Sequence, residues 1–374
     1  MRIAYFINTF KSINWGGQAT SKGIKTLVEK TYPNAEFIPL DLPSLPMSKF
    51  RIVRTVWEKK LAKSILTDDR RGVVKYLRKL NIDDSFFNGF DTVCFNGEGA
   101  IHAKSGHLIR LMGMLYEYKQ RGVFVSALNQ TVDLGDNDFL KAVVKKVYSM
   151  VDYLAVREPV SQRELQKLGL DPVLVGDAAY ALGAFSEEKV DSLVSNLNLP
   201  EKFVAVTGSS FLSRNRTSVK LMDQLLKEIQ AFYIDIPIYF LANTKTDMYL
   251  AKKLKEKYGF SVFSVPEKHD RAMAVIAKAY IVIGGRQHPN IFAAMQGVPF
   301  IPFQGNTHKM EGVVELLKYP VDVLCWEDNM KSKKTFEKME FWREELANII
   351  LVPKIDSICL DTYAREKIKL RYSI

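Results

Sequence analysis

Short runs of β-branched and aromatic residues alternate with helical patterns along this 374-residue chain. The strand-like runs are 3–7, 92–95, 123–127, 153–156 and 173–175, then 203–206, 237–241, 280–283 and 299–302. Amphipathic segments such as Gln18–Glu29 and Val219–Phe232 lie between them. This alternation is typical of parallel sheets that helices cover on both faces, so we predict an α/β fold.

The alternation is interrupted at residues 183–200, a polar stretch without a strand-like run. We therefore predict two Rossmann-like domains with parallel sheets facing a cleft, at residues 1–185 and 200–330. Residues 331–374 are predicted to be helical and to pack back on the first domain. Because parallel sheets of this kind bind ligands at the carboxyl ends of their strands, we place the ligand in the cleft.

The net charge of +11 is concentrated in one segment. Residues 51–80 contain ten basic and three acidic residues, a net charge of +7. Apolar residues recur there at helical spacing, for example Val53, Val56, Trp57 and Leu61, which predicts a basic amphipathic helix. Such a helix packs its apolar face into its own domain, or contacts an anionic membrane surface or a phosphorylated partner. No recognition-helix, RNP or zinc-finger pattern occurs, so we expect no nucleic-acid partner.

The remaining composition favours a reducing compartment. Three cysteines are far apart, and Cys94 and Cys325 lie in apolar runs where a free thiol usually behaves as a core residue. No apolar run approaches the ~18 residues of a membrane span, and the first residues indicate a strand instead of a signal peptide. We expect a cytoplasmic protein, peripheral at the inner face of the membrane if the basic helix contacts lipid. No metal-ligand motif and no dinucleotide or P-loop fingerprint occurs, so we expect no cofactor.

The segment YIVIGGRQHPN, which starts at Tyr280, contains the sharpest candidate site. An apolar strand is predicted to end at Gly284-Gly285, and Pro289 is predicted to be the first residue of a helix. Arg286 and His288 then lie at a strand's carboxyl end and a helix N-terminus, where free N–H groups favour phosphate. Arginine adds a bidentate donor for phosphate or carboxylate, and histidine can transfer a proton near neutral pH. In a second such connection, Lys309 is a candidate second cation and His308 a reserve proton carrier.

Three strand ends in the first half offer weaker candidates. Asn96, Gly97, Glu98 and Gly99 are predicted to form a loop, where small residues let a ligand approach and Glu98 is a candidate general base. The glycines of Asn14-Trp15-Gly16-Gly17 either let a ligand approach the backbone closely or form a simple turn. Arg157 at the end of another strand binds an anion or pairs with Glu158 or a neighbour, and Asp177 is predicted to cap the residues that follow.

The order of NGEGAIH, AVREPVS, VGDAAY and GGRQHPNIFAAMQGVPFI, followed by a lysine, resembles the polysaccharide pyruvyl transferase family. The resemblance implies a GT-B-like architecture of two Rossmann-like domains. It also implies transfer of the pyruvyl unit of phosphoenolpyruvate to a sugar as a ketal. Arg286 and His288 match the family's Arg-x-His motif, and Arg157 matches the arginine of its VRD-type motif, although Glu158 replaces the usual aspartate. Gly17 stands where the family often has aspartate.

The resemblance gives each candidate a role. Arg157 and Arg286 would bind the phosphate and carboxylate of phosphoenolpyruvate, His288 would be the acid, and Glu98 the base. The proposed substrate-binding residues are Arg157, Arg286, Lys309, Asn96, Gly97, Gly99 and Gly285. The acceptor is a sugar, which is a free oligosaccharide, a lipid-linked one or a sugar on a protein. Two alternatives stay open at this point: a nucleotide-sugar-dependent glycosyltransferase of the same fold, and a basic adaptor that binds anionic membrane or nucleic acid through residues 51–80.

Overall fold

A computed structural model describes residues 1–44, 51–327 and 335–340. Contacts within the chain divide it into two compact units. Of the described residues, 1–8 and 24–177 belong to the first unit, and 9–23, 178–327 and 335–340 belong to the second. The N-terminal segment 9–23 is thus part of the second unit's fold although it precedes the whole first unit. The predicted domain boundaries at 185 and 200 remain predictions.

The first unit contains a six-stranded parallel sheet of order β2-β1-β3-β4-β5-β6. Its strands are β1 (Arg2–Phe6), β2 (Glu36–Leu40), β3 (Thr92–His102), β4 (Phe124–Asp133), β5 (Tyr153–Val156) and β6 (Val173–Leu174). Its helices are α1 (Trp15–Thr31, whose first half belongs to the second unit), α2 (Arg51–Leu66), α3 (Arg70–Lys79), α4 (Leu108–Gln120), α5 (Asp138–Tyr148) and α6 (Pro159–Gln166), with a 3₁₀ turn at Asp84–Phe86. Buried aromatic and β-branched side chains such as Phe6, Phe95 and Val125 form its core.

The second unit contains a five-stranded parallel sheet of order β11-β10-β7-β8-β9. Its strands are β7 (Val204–Ser209), β8 (Ile238–Ala242), β9 (Ser261–Ser264), β10 (Ile281–Gly285) and β11 (Phe300–Pro302). Its helices are α7 (Glu187–Val194), α8 (Arg216–Phe232), α9 (Lys245–Tyr258), α10 (His269–Ala277), α11 (Gln287–Met295) and α12 (Lys309–Leu316), with a 3₁₀ turn at Ala178–Leu182. Two parallel sheets with interleaved helices confirm the predicted fold class.

Several elements differ from the predictions. The basic segment forms two helices, because Asp69 starts α3 by accepting a hydrogen bond from the Gly72 N–H (2.9 Å). The 183–200 stretch contains α7. Strands β2 and β9 were not predicted, and β2 contains Pro39, a residue that sheets tolerate at edge positions.

Two cysteines were predicted to be core residues. Cys94 is buried as predicted, which raises its thiol pKa to about 12, whereas Cys325 is exposed and that prediction was wrong.

The C-terminal segment was predicted to be helical and to pack on the first domain. Of this segment, the structure describes residues 335–340, a helical stretch whose Phe336 packs into the core of the second unit. The packing of residues 341–374 lies outside the described residues. Among the helices that are described, none is both long and apolar enough to cross a bilayer.

Candidate active site

The carboxyl end of β10 lies at the point where the strand order of the second sheet reverses. From β7 the chain proceeds outward through β8 and β9, then returns to place β10 and β11 on the other side of β7. In doubly wound sheets the connections diverge at such a point and leave a crevice for ligands. The segments after β7 and β10 therefore border the expected ligand position in this unit.

The close approach of β10 to β7 depends on glycine. Gly284 has a φ of +148°, and a Cβ there would lie 2.3 Å from Thr207 Oγ1 and 2.4 Å from Thr207 O. A Cβ at Gly285 would lie 2.5 Å from Ser209 Oγ. Both glycines thus let the two strand ends approach, which fixes the starting direction of the residue that follows.

Arg286 is the N-cap of α11, so it lies at a strand's carboxyl end and a helix N-terminus as predicted. The helix starts at Gln287, before Pro289, so the predicted start at proline was wrong. Proline is nevertheless tolerated there, because N–H groups in the first helical turn have no intrahelical acceptor.

The Arg286 guanidinium extends past β7 to the start of α9. Its Nε donates to Asp247 Oδ2 (3.0 Å), and its Nη2 donates to Asp247 Oδ1 (2.9 Å) and Thr244 Oγ1 (2.7 Å). Gly208 makes room for this pair, since a Cβ there would lie 2.0 Å from Asp247 Oδ1. Sequence reasoning missed Asp247. Its signal was the Thr-x-x-Asp capping pattern at 244–247, in which the Asp247 N–H donates back to Thr244 Oγ1 (3.3 Å).

Asp247 is completely buried, and burial raises the pKa of its carboxyl group. The charge of Arg286 and hydrogen bonds from Arg286, Thr244 and the Asn243 N–H act in the opposite direction. The buried carboxylate holds the guanidinium in one orientation. The hydrogen bonds made by the described residues leave Nη1 of Arg286 unengaged, and its side chain is 12% exposed.

The start of α1 is anchored on this edge of the second sheet. Trp15 is buried, its Nε1 donates to Glu267 O (2.9 Å), and its backbone N–H donates to Asn243 Oδ1 (2.9 Å). Asn243 Nδ2 donates in turn to Asn14 Oδ1 (3.2 Å), and the Asn243 N–H donates to Asp247 Oδ2 (3.1 Å). One hydrogen-bonded chain therefore links the first turn of α1 to the carboxylate that holds Arg286.

His288 packs against Gly16 in that first turn. A Cβ on residue 16 would lie 1.9 Å from His288 Nδ1, so only glycine permits this contact. The imidazole is half-buried, and its ring lies 6.3 Å from that of Phe292. The glycine-rich segment Asn14–Gly17 thus borders the Arg-x-His segment within a single unit.

Lys309 is the first residue of α12. The loop that precedes this helix is hydrogen-bonded to the residues at the end of β7. Ser209 Oγ donates to Gln304 O (2.6 Å), and the Asn306 N–H donates to Ser210 Oγ (3.1 Å). Lys309 Nζ donates to Asn306 Oδ1 (2.9 Å). His308 is the N-cap position of α12. The structure therefore places Lys309 with Arg286, His288 and Gly285 at the carboxyl edge of the second sheet.

The NGEG residues belong to the first unit, within β3, and the predicted loop was wrong. The strand continues to His102 because β4 pairs with it throughout, with a bulge between Glu98 and Ile101. Asn96 is buried and donates to Tyr5 OH (2.9 Å), and a Cβ at Gly97 would lie 2.5 Å from Gln130 Cβ. Glu98 is half-buried with a φ of +40°, and Gly99 is exposed.

Arg157 also belongs to the first unit and is buried in an ion pair. Its Nη1 donates to Asp177 Oδ2 (2.9 Å) and its Nε to Thr131 Oγ1 (2.9 Å). Glu158 instead caps α6 by accepting from the Ser161 N–H at 3.0 Å. The predicted pairing with a neighbouring carboxylate is thus confirmed for Asp177. The structure brings Arg286, His288, Lys309 and Gly285 to one edge, and it places Arg157, Asn96, Gly97, Glu98 and Gly99 in the other unit.

These features define a GT-B-like α/β protein with an arginine, a lysine and a histidine at the carboxyl edge of its second sheet. The sequence model of the polysaccharide pyruvyl transferase family matches residues 14–306. The chain belongs to the polysaccharide pyruvyl transferase family. No curated protein matches the sequence.

Solved structures share the fold at low sequence identity. The UDP-GlcNAc 2-epimerase of Methanocaldococcus jannaschii is 15% identical with a TM-score of 0.56, over 91% of this chain and 92% of that one. The epimerase from Rickettsia bellii is 13% identical with a TM-score of 0.58, over 100% and 96%. The epimerase from Neisseria meningitidis is 9% identical with a TM-score of 0.57, over 98% and 100%. At such identities the likeness concerns the fold alone.

Proposed function

We propose that this protein transfers the pyruvyl group of phosphoenolpyruvate to two hydroxyl groups of a sugar, which forms a cyclic ketal and releases phosphate. The observation that supports this best is Arg286, oriented by Asp247 at the N-terminus of α11, with His288 two residues further on. A cation, helix N–H groups and a titratable group are what an anionic donor that must be protonated requires. We propose no cofactor, since the donor itself supplies the leaving group.

In the proposed reaction, Arg286 binds one anionic group of phosphoenolpyruvate through Nη1 and the first turn of α11 adds N–H donors. Lys309 supplies a second cation from the neighbouring loop. His288 donates a proton to the methylene carbon, which becomes the methyl group of the ketal. One sugar hydroxyl adds to the adjacent carbon and loses its proton to a base, for which Glu98 is our candidate. The second hydroxyl displaces phosphate, which leaves with the remaining proton.

Arg157 is proposed as the second arginine for the donor. Its pairing with Asp177 already neutralises its charge, so a role in binding would be shared with that carboxylate. Asn96, Gly97 and Gly99 are proposed to contact the acceptor, which is a sugar, free or lipid-linked. The test is phosphate release from phosphoenolpyruvate with a panel of glycosides, followed by mass analysis for a ketal product. Release of nucleoside diphosphate from nucleotide sugars, without phosphate release from phosphoenolpyruvate, would overturn the proposal.

The contact between Gly16 and His288 gives a positioning prediction. Gly16→Ala places a methyl group where the imidazole lies and must displace it. We expect kcat to fall by roughly 10- to 100-fold, because displacing a reacting group by about 1 Å costs up to 10²-fold. The KM for phosphoenolpyruvate should change much less, since Arg286 is untouched.

The control for this variant is Gly106→Ala, where the nearest atom to an added Cβ is a side-chain nitrogen of Arg54 at 3.9 Å. This control should retain wild-type kinetics. A Gly16→Ala protein with unchanged kcat would show that the position of His288 does not limit the reaction.

We also propose that α2 contacts an anionic membrane surface. Its solvent-facing side carries Val53 (40% exposed) and Val56 (43% exposed) together with exposed Lys59, Lys60 and Lys63. The acidic residue of this helix, Glu58, is engaged by Arg54 (3.5 Å). Exposed apolar side chains among exposed lysines favour a lipid interface, where valine inserts and lysine meets headgroup phosphates.

Charge reversal tests the membrane contact. Lys59→Glu, Lys60→Glu and Lys63→Glu together should abolish co-sedimentation with phosphatidylserine-containing vesicles at low salt, since each lysine contributes about 1 kcal/mol near such a surface. Turnover with a short soluble acceptor should persist. The matched control reverses Lys252, Lys253 and Lys255, which are exposed on α9. Equal loss in both variants would contradict a specific role for α2.

A further inference from the structure

A cavity of about 400 Å³ lies in the second unit, where the segment before α1 meets the loop between β9 and α10. Apolar walls come from Phe10, Ile13 and Pro266. The basic lining residues are Lys11, Lys22, Lys268 and His269. Among the described residues that line the cavity, none is an aspartate or a glutamate. The cavity thus combines an apolar wall with several positively charged side chains.

The lysine charges are not neutralised by carboxylates of the described residues. The two acidic residues next to the cavity are engaged elsewhere: Glu267 Oε1 accepts from Arg271 Nη1 (2.8 Å), and Asp270 Oδ1 accepts from the Arg271 N–H (2.8 Å). Burial lowers the pKa of His269; Asp270 opposes this, and the charges of Lys22 and Lys268 lower the pKa further. An anion in the cavity would therefore meet ammonium groups that no carboxylate of the described residues pairs with.

The first residues of α10 add to this positive potential. Lys268 occupies the N-cap position, where it makes no side-chain cap, and His269 is the first helical residue. The Gln18 side chain accepts from the His269 N–H (2.9 Å) and donates to Ser12 O (2.7 Å), which joins the two walls of the cavity. A helix N-terminus carries partial positive charge, so it strengthens the preference that the three lysines establish.

We propose that this cavity is a second anion site that binds a phosphoryl group, as a phosphate ester or as diphosphate. Three flexible ammonium groups suit a multiply charged tetrahedral anion with acceptors on several sides, better than the planar carboxylates that arginine pairs bidentately. The apolar wall accommodates an organic group attached to the phosphate. The first turn of α1 borders both sites, since Gly16 contacts His288 and Gln18 lines the cavity.

The same chemistry has two sources, a phosphate ester on a sugar and free inorganic diphosphate. Calorimetric titration of the full chain with glucose 1-phosphate and with inorganic pyrophosphate separates them, with methyl glucoside as the uncharged reference. Tighter binding of the ester assigns the site to a phosphorylated sugar, and tighter binding of pyrophosphate assigns it to the free ion. Either affinity should fall as salt concentration rises, because the lysines are exposed.

The decisive variant combines Lys11→Gln, Lys22→Gln and Lys268→Gln. We expect it to weaken the preferred probe at least tenfold, with an unchanged melting temperature. Three single variants should each weaken it by a smaller factor. The matched control, Lys252→Gln with Lys253→Gln and Lys255→Gln, removes the same charge from the same unit outside the cavity and should bind as wild type.

Equal affinity in the triple variant and wild type would overturn the proposal, as would an equal loss in the control. The titration needs no turnover, so its outcome is independent of the pyruvyl transfer proposed above. Phosphoenolpyruvate binding at the Arg286 site, titrated separately, should be retained in the triple variant, because Arg286 is not changed.

Discussion

Turnover of phosphoenolpyruvate should fall by about 10²–10⁴-fold when His288 is replaced by alanine, the usual effect of losing a general acid or base. Donor affinity should change much less, because Arg286 remains held by Asp247. His288→Gln should be nearly as inactive as the alanine variant, since an amide keeps a hydrogen bond but supplies no proton. The measurement is kcat from phosphate release, with donor affinity from calorimetry.

Glutamine is the informative substitution at this position. If His288→Gln restored most of the rate, His288 would only position the substrate, and His308, Lys309 or a water molecule would be the next candidates for the acid. A glutamine variant that binds donor normally and does not turn over would support proton transfer by the imidazole.

Arg286→Ala should raise the requirement for phosphoenolpyruvate by roughly 10- to 100-fold, because a hydrogen bond to a charged group contributes about 1.5–3 kcal/mol. Arg286→Lys should restore only part of the affinity, since an ammonium group cannot reproduce the guanidinium geometry that contacts Asp247 and Thr244. Unchanged donor affinity in a folded alanine variant would remove the central element of the proposed site.

The alanine variant also leaves the buried Asp247 carboxylate without its cation, which typically costs about 3–5 kcal/mol of stability. Without Arg286, the largest of the effects that oppose burial is lost, and the pKa of Asp247 is raised further although the hydrogen bonds from Thr244 and the Asn243 N–H remain. A raised native-state pKa means that the folded protein binds a proton that the unfolded chain releases. The variant should therefore become less stable as pH rises through the interval between the two pKa values. Arg286→Ala combined with Asp247→Asn should lose that pH dependence while keeping the weak donor binding, which separates stability from binding.

Periodicity predicted strands whose residues are largely apolar, including the edge strands β6 and β11. The runs that became β1, β5, β7, β8 and β10 are confirmed, and so is the position of Arg286 at the end of β10. The edge strand β2 escaped prediction because its five residues include Pro39. The extension of β3 through Gly97 and Gly99 escaped it because turn-forming residues indicate a loop unless a neighbouring strand pairs with them.

The partners of Arg286 depend on information that local patterns do not contain. Asp247 follows β8, and it meets Arg286 only because β7 alone separates β8 from β10 in the sheet. Likewise, Gly16 meets His288 only because residues 9–23 join the second unit. The packing of the whole unit determines the order of the strands and which distant segments of the chain join it. A motif therefore identifies a candidate residue without identifying the residues that contact it in the fold.

The membership of residues 9–23 in the second unit has a consequence for biosynthesis. The Trp15 N–H and its acceptor Asn243 are 228 residues apart in the chain. At about 5–20 residues per second, a ribosome needs on the order of 10–50 s to reach Asn243 after Trp15 has been made. During that interval the indole has no native burial site, and the first sheet can assemble before the segment preceding α1 is anchored. The candidate catalytic edge is therefore completed late in synthesis, although the first turn of α1, which borders it, is among the first parts translated.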